Sequence, residues 1–172
     1  MMFDEAEIVP GVKYKWGDWR QYAVHSDTEV KGFFGQYRWL SNFHPAEVEY
    51  EGLLYPSTEN AYQASKIVIE ERSILQKCAP HEAKKIWKNL TKLDKNTEEW
   101  DARKLTAMRW VTLSKYRSHD YLMQKLLATK EKYLEERNHW CDTYWGVDIK
   151  KGGDNQLGKL LMQLRNHWLN LS

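Results

Sequence analysis

The clearest alternation of apolar and polar positions lies in Val48-Glu49-Tyr50 and Leu53-Leu54-Tyr55, on either side of Glu51-Gly52. A two-residue period interrupted by a turn-forming pair predicts a β-hairpin. Pro56-Ser57-Thr58 follows and reads as a helix start, with Ser57 as N-cap and Glu59 at the positive end of the helix dipole. On that helix Glu59, Tyr62, Gln63 and Lys66 recur at i, i+3, i+4 and i+7 and share one face. Ala61, Ala64 and Ser65 form a small-residue side suited to close packing. Downstream the period is helical, first over about 80–90. Asn96, with Glu99 three residues on, opens a helix to about Tyr116 whose apolar side carries Leu105, Met108 and Val111. Another covers about Asp120 to Ala128. Residues 131–147 lose the period and read as irregular or extended up to Trp145-Gly146. Asp154-Asn155 then caps a last helix whose Leu157, Leu160, Leu161, Leu164, Trp168 and Leu171 make a core stripe.

These elements give an α+β class: a helix-rich single domain with a small antiparallel sheet drawn from the first third. Residues 33–172 read as that domain. Residues 1–32, mixed and aromatic with breaks at Gly11 and Gly17, read as an N-terminal extension.

Composition narrows the classes. At 172 residues the chain suits one domain with a real core. Lys+Arg 26 against Asp+Glu 24 leaves +2, too near neutral to advertise nucleic-acid or membrane binding by charge alone. Cys78 and Cys141 make no disulfide framework. The histidines form no HxxxH or HExxH pair, so no protein-bound metal is expected. Met1 to Pro10 carries Asp4, Glu5 and Glu7 instead of the apolar run of a signal peptide, and no apolar stretch reaches membrane-spanning length. A cytoplasmic location is expected.

Nine tryptophans and ten tyrosines exceed what a core of this size needs. Many lie in two blocks, 33–66 and 136–165, that mix rings, amides and acids at loop-to-helix junctions. Together the blocks read as two halves of one pocket for a flat, polar, sugar-bearing ligand. For the Glu59 face a solvated Glu–Gln–Lys ladder is the commoner outcome, by roughly two to one. In a cleft, the carboxylate would serve as general acid or base and a desolvated Lys66 as nucleophile. Asn42, an amide inside an apolar run, fits a backbone bracket or a ligand to a ribose hydroxyl. Glu136, Asp142 and Asn155, interleaved with Trp140, Tyr144 and Trp145, fit turn caps or ligand groups.

The run FFGQYRWLSNFHPAEVEYEGLLYPSTENAYQASK, with NHWCDTYWG and GGDNQLGKLLMQLR, closely resembles the NADAR family, also called YbiA-like, over about residues 33–168. The resemblance implies hydrolysis of the N-glycosidic bond between a nitrogenous ring and a phosphorylated ribose, as in early intermediates of riboflavin synthesis. Some members instead remove ADP-ribose from guanine in DNA, through a lysine Schiff base. Carried onto this chain, the catalytic set is Glu59, Lys66, Glu136 and Asp142. The substrate-binding set is Arg38, Ser41, Asn42, Phe43, Gln63, Trp100, Tyr144, Trp145, Gly146 and Asn155. No cofactor and no metal are implied.

Two departures stand out. The family arginine shortly before Trp100 is replaced by Leu93-Asp94-Lys95-Asn96-Thr97, which leaves Lys95 or Arg38 to grip phosphate. Cys141 stands where many relatives have Gly. The expected partner is a small-molecule ribosyl or nucleotide substrate. The alternatives are ADP-ribosylated DNA, met by a basic cluster Lys84, Lys85, Lys88, Lys92 and Lys95, or a non-catalytic ADP-ribose or NAD module.

Overall fold

The hydroxyl of Ser26 accepts the N–H groups of Thr28 and Glu29, turning the chain between β1 (Val24–His25) and β2 (Glu29–Lys31), which pair antiparallel. The structure is a computed structural model that describes residues 18–171; residues 1–17, most of the expected extension, lie outside the described residues. A 3-10 turn over Gly35–Leu40 leads to β3 (Pro45–Tyr50) and β4 (Leu53–Ser57). Then come α1 (Thr58–Ala64), α2 (Ser73–Lys77), α3 (Pro80–Ile86), α4 (Thr97–Ser118) and α5 (Asp120–Ala128). β5 (Tyr133–Glu135), β6 (Arg137–Asn138), β7 (Val147–Asp148) and α6 (Gln156–Leu169) complete the order. The described residues fall into two compact units. One takes those through Ser41 and from Gln124 onward, the other Asn42–Met123.

In the first unit the sheet order is β1-β2-β5, with β2 and β5 parallel. Val30 and Leu134 sit opposite each other and are fully buried. α6 packs on β5 through buried Leu157, Leu160 and Leu161. The buried Arg165 of α6 satisfies its guanidinium on Thr129 Oγ1 and the Lys132 carbonyl, which offsets the cost of bringing its charge into the core. β6 and β7 form a separate parallel pair.

In the second unit the hairpin forms as its alternation predicts. Glu51 and Gly52 both take left-handed φ, 48° and 77°, as a two-residue hairpin loop requires. β3 turns Ala46, Val48 and Tyr50 inward against α4, whose Met108 and Val111 are buried. α1 is buried on every side, all seven residues. Its polar groups are therefore partnered. Ser57 Oγ caps Asn60 N–H and donates to Asn60 Oδ1, while Asn60 Nδ2 donates to the Leu75 and Cys78 carbonyls. Asn60 thus bolts α1 to α2.

The helix-rich α+β class holds, while several details differ from what the pattern predicts. The strand pairing is partly parallel and draws Tyr133–Glu135 from the last third, because β2 has an edge free for β5. α1 stops at Ala64, where Ser65 Oγ bonds the Tyr62 carbonyl and Lys66 N–H closes a tighter turn on Gln63. α3 stops at Ile86 and tightens into a 3-10 turn over Trp87–Asn89. Asn155 precedes α6 in a left-handed conformation without a side-chain cap, and Leu171 lies past the helix end, 70 % exposed rather than in the core. Among the described residues no helix is long and apolar enough to cross a membrane.

Asn60→Ala should destabilise the protein by about 2–4 kcal/mol, because it strands two buried carbonyls and the Ser57 hydroxyl. A denaturant midpoint unchanged from wild type would show that the Asn60 bracket does not hold α1.

Candidate active site

The Glu59 face of α1 faces the interior, not solvent. Glu59 is 5 % exposed and Gln63 3 %, which overturns the solvated ladder as the reading of this spacing. Small Ala61 and Ala64 let neighbouring elements close over the helix, and that closure buries the polar face too.

The acids and amides make a short relay. Glu59 Oε1 accepts from Gln63 Nε2 at 2.7 Å, and Gln63 Oε1 accepts from Lys66 Nζ at 2.8 Å. Gln63 therefore stands between carboxylate and ammonium and fixes both. The Glu59 N–H donates to the Asn42 carbonyl, which anchors the Asn42-Phe43 loop on the first turn of α1. Asn42 itself is buried, with Nδ2 3.4 Å from Met108 Sδ.

Lys66 Nζ lies among three rings, 4.6 Å from the centre of Tyr62, 4.3 Å from Trp87 and 5.2 Å from Trp100. Burial pushes its amine down to about 8; Glu59 opposes that shift, while Lys84 and Lys92 add to it. Trp87 also receives Lys92 Nζ at 4.7 Å, and Lys84 Nζ lies 5.6 Å over Phe43. The arrangement is one carboxylate facing a partly discharged amine within a cationic surround.

Two residues here escaped sequence reasoning. Trp87 lies 21 positions from Lys66 with no periodic relation to it, so only the 3-10 turn after α3 brings it in. Arg103 is three residues past Trp100 on α4, a spacing that was legible. Its guanidinium lies 5.0 Å over the Trp100 ring, pairs with Asp94 and donates to the Ser65 carbonyl. It places a cation against Trp100.

Arg38, Ser41, Glu136, Asp142, Tyr144, Trp145, Gly146 and Asn155 belong to the first unit, the Glu59 set to the second. Burial pulls the Arg38 guanidinium down and Glu136 pulls it back up. Arg38 Nη1 reaches Ser41 Oγ at 3.4 Å. Asn155 acts as a bracket: Oδ1 accepts the Glu136 N–H, and Nδ2 donates to Tyr133 Oη and the Leu134 carbonyl. Gly146 passes so close that a Cβ there would stand 2.2 Å from the Glu136 carbonyl oxygen. Fully buried Asn138 ties the following loop, accepting the Trp140 and Asp142 N–H groups. Asp142 Oδ1 accepts the Trp145 N–H, a turn-capping job, and Trp145 meets Tyr144 edge to face at 4.8 Å. Cys141 has φ 65°, the left-handed region that favours glycine.

The NADAR domain profile matches residues 26–169. The chain belongs to the NADAR family. It is 31 % identical over 140 residues to the N-glycosidase Npun_R5314 of Nostoc punctiforme, covering 78 % of this chain and 88 % of that protein. It is 29 % identical over 128 residues to the riboflavin biosynthesis protein VVA0006 of Vibrio vulnificus, covering 73 % of this chain but only 34 % of that longer protein. The NMR structure of the E. coli protein YbiA superimposes with a TM-score of 0.70 at 28 % identity, covering 86 % of this chain and 88 % of that one.

Competitive amine labelling of the NADAR chain, read on the Lys66 peptide by mass spectrometry, should give a midpoint near the depressed value of about 8. Exposed lysines should titrate at about 10.4. A Lys66 midpoint at the ordinary value would mean that the aromatic cage is open to water.

Proposed function

We propose that this NADAR-family chain is a hydrolase of N-glycosidic bonds joining a nitrogenous base or amino-pyrimidine to a phosphorylated ribose. The supporting relatives carry the names N-glycosidase and riboflavin biosynthesis protein. The observation that carries the mechanism is the relay from buried Glu59 and Gln63 to half-buried Lys66 beside three aromatic rings.

As the C1–N bond breaks, the sugar carbon gains oxocarbenium character, and the Glu59 carboxyl group, held out of bulk water, is placed to stabilise it or to take a proton from attacking water. Water supplies the hydroxyl at C1, and the leaving nitrogen takes up a proton. In the covalent variant, the neutral Lys66 amine bonds to C1 and displaces the leaving nitrogen, which takes up a proton; the sugar ring opens to a lysine Schiff base, and one water molecule hydrolyses it to free sugar and amine. The depressed amine favours this variant, because a usable fraction is unprotonated near neutral pH. In the first unit Arg38 is our candidate for gripping an anionic group, and Asp142 is the next acid after Glu59. Tyr144, Trp145 and Gly146 remain candidates for ring contact. A domain from about residue 33, a cytoplasmic location and a small-molecule substrate belong to the same reading.

Glu59→Gln should keep the fold and lower turnover on a ribosylamino-pyrimidine phosphate by at least about 100-fold, the range of a lost general acid or base. Retention of a tenth of the activity would move the acid elsewhere. Activity should also survive EDTA; loss restored by added Mg²⁺ or Zn²⁺ would overturn the metal-free reading. Lys66→Arg separates the two routes. Inactivity, with borohydride trapping of sugar on the wild-type Lys66 peptide, marks the covalent route, while full activity and no adduct mark direct attack by water. Release of ADP-ribose from modified guanine DNA alone, or binding without turnover on any substrate, would favour the two alternatives.

A further inference from the structure

α4 has a second working face. A cavity of about 560 Å³ opens between α4 and the β3–β4 hairpin, and its lining includes neither Glu59, Gln63 nor Lys66. That volume is in the range of small-molecule sites. Its floor is apolar, with the buried Tyr50 and Ala107. Its wall is Trp110, which is 58 % exposed and meets no other ring among the described residues. A large ring left open beside a cavity supplies a stacking surface that the fold does not use.

The charges on the lining are unequal in availability. Glu51 is paired with the buried Arg72, and Glu49 accepts the Gly52 N–H. Arg103 is paired with Asp94. Arg117 lies exposed at the far end with no hydrogen bond or ion pair among the described residues. The Glu49 carboxylate, exposed and without a cation partner among the described residues, is held toward the hairpin loop by the Gly52 N–H, and the charge offered at the far end is the Arg117 cation. Ser114 lies between, its Oγ accepting the Glu49 N–H and so keeping its own proton to donate.

Trp110 and Arg117 are seven residues apart, two turns on one helix face, or roughly 10 Å along the axis. Helical side chains lean toward the N-terminus, so the long Arg117 side chain reaches back toward the Trp110 turn. We propose that this cavity is a second ligand site, taking a flat aromatic ring that carries a phosphate one sugar or short linker away, as in a mononucleotide. The ring stacks on Trp110, the phosphate pairs with Arg117, and the Ser114 hydroxyl donates between them. The site is separate from the Glu59 relay and stands whether or not the proposed reaction does.

The test uses AMP as probe and the Trp110 indole N–H resonance as readout, assigned by its loss in Trp110→Phe. AMP should shift that resonance saturably. Adenosine, which lacks the phosphate, should need about tenfold more ligand, and Arg117→Ala should raise the half-saturating AMP concentration by about tenfold. Both substituted side chains are exposed, so the fold should be retained, which circular dichroism checks. An unmoved Trp110 signal at about 10 mM AMP would overturn the proposal. So would equal response to adenosine and AMP, or an unchanged AMP response in Arg117→Ala. AMP binding that shifts other resonances and leaves Trp110 still places the nucleotide elsewhere and overturns it as well.

Discussion

A seven-residue helix buried on every side is the constraint on which the second unit depends. Ser57 caps α1, Glu59, Asn60 and Gln63 lie along it, and all four are buried. A buried polar group without a partner costs on the order of 1–3 kcal/mol. The surrounding chain must therefore arrive with matching acceptors and donors. Asn60 demands the Leu75 and Cys78 carbonyls, which sets α2. The Glu59 N–H demands the Asn42 carbonyl, which sets the loop before β3. The Ser65 carbonyl at the far end receives Arg103, which sets α4. The same satisfied network that positions three elements leaves Glu59 and Lys66 aligned through Gln63.

That alignment carries an electrostatic cost. Lys66 gains one favourable neighbour in Glu59 but is desolvated, with Lys84 and Lys92 nearby. Its amine is lower in the folded chain than the ordinary lysine value, so between about 8 and about 10.4 the unfolded chain binds more protons than the folded one. Stability therefore rises with pH across that window, and the full cost is present below it. A purely structural lysine would be better placed outside. A lysine lowered in this way, beside three rings and an amide, meets the condition that the proposed covalent route sets for its amine.

How much of this was legible in the sequence differs by element. The hairpin, the Ser57 cap, the Asn96 cap and the Asp120 helix followed from local chemistry, where a turn pair or a capping oxygen decides the outcome by itself. The spacing of Glu59, Gln63 and Lys66 was legible as one face, but its burial was not. Periodicity says which residues point together and is silent on what covers them. Trp87 was illegible for the same reason, since its place depends on where a helix tightens into a 3-10 turn. The parallel pairing of β2 with β5 joins residues about a hundred positions apart, beyond any local signal. Asn155 was seen as important but for another job: its left-handed backbone turns the side chain away from the α6 terminus and onto β5 and Glu136.

The segment before Trp100 shows how that ring is braced from the following turn of its own helix. Leu93-Asp94-Lys95-Asn96-Thr97 offers no guanidinium before Trp100, yet a cation still lies against that ring, supplied by Arg103 from the following turn of α4. Asp94 is the carboxylate that holds Arg103 there. This braces the ring but commits the arginine to Asp94 and Ser65, so it cannot also serve as an open anion grip. Within this unit the open cations beside the relay are lysines, Lys84 over Phe43 among them. A lysine is a compact, strongly hydrated point charge, whereas arginine grips phosphate through a planar two-point fork. Binding of a phosphate on this side would therefore be looser in orientation and more sensitive to salt than binding by a guanidinium fork.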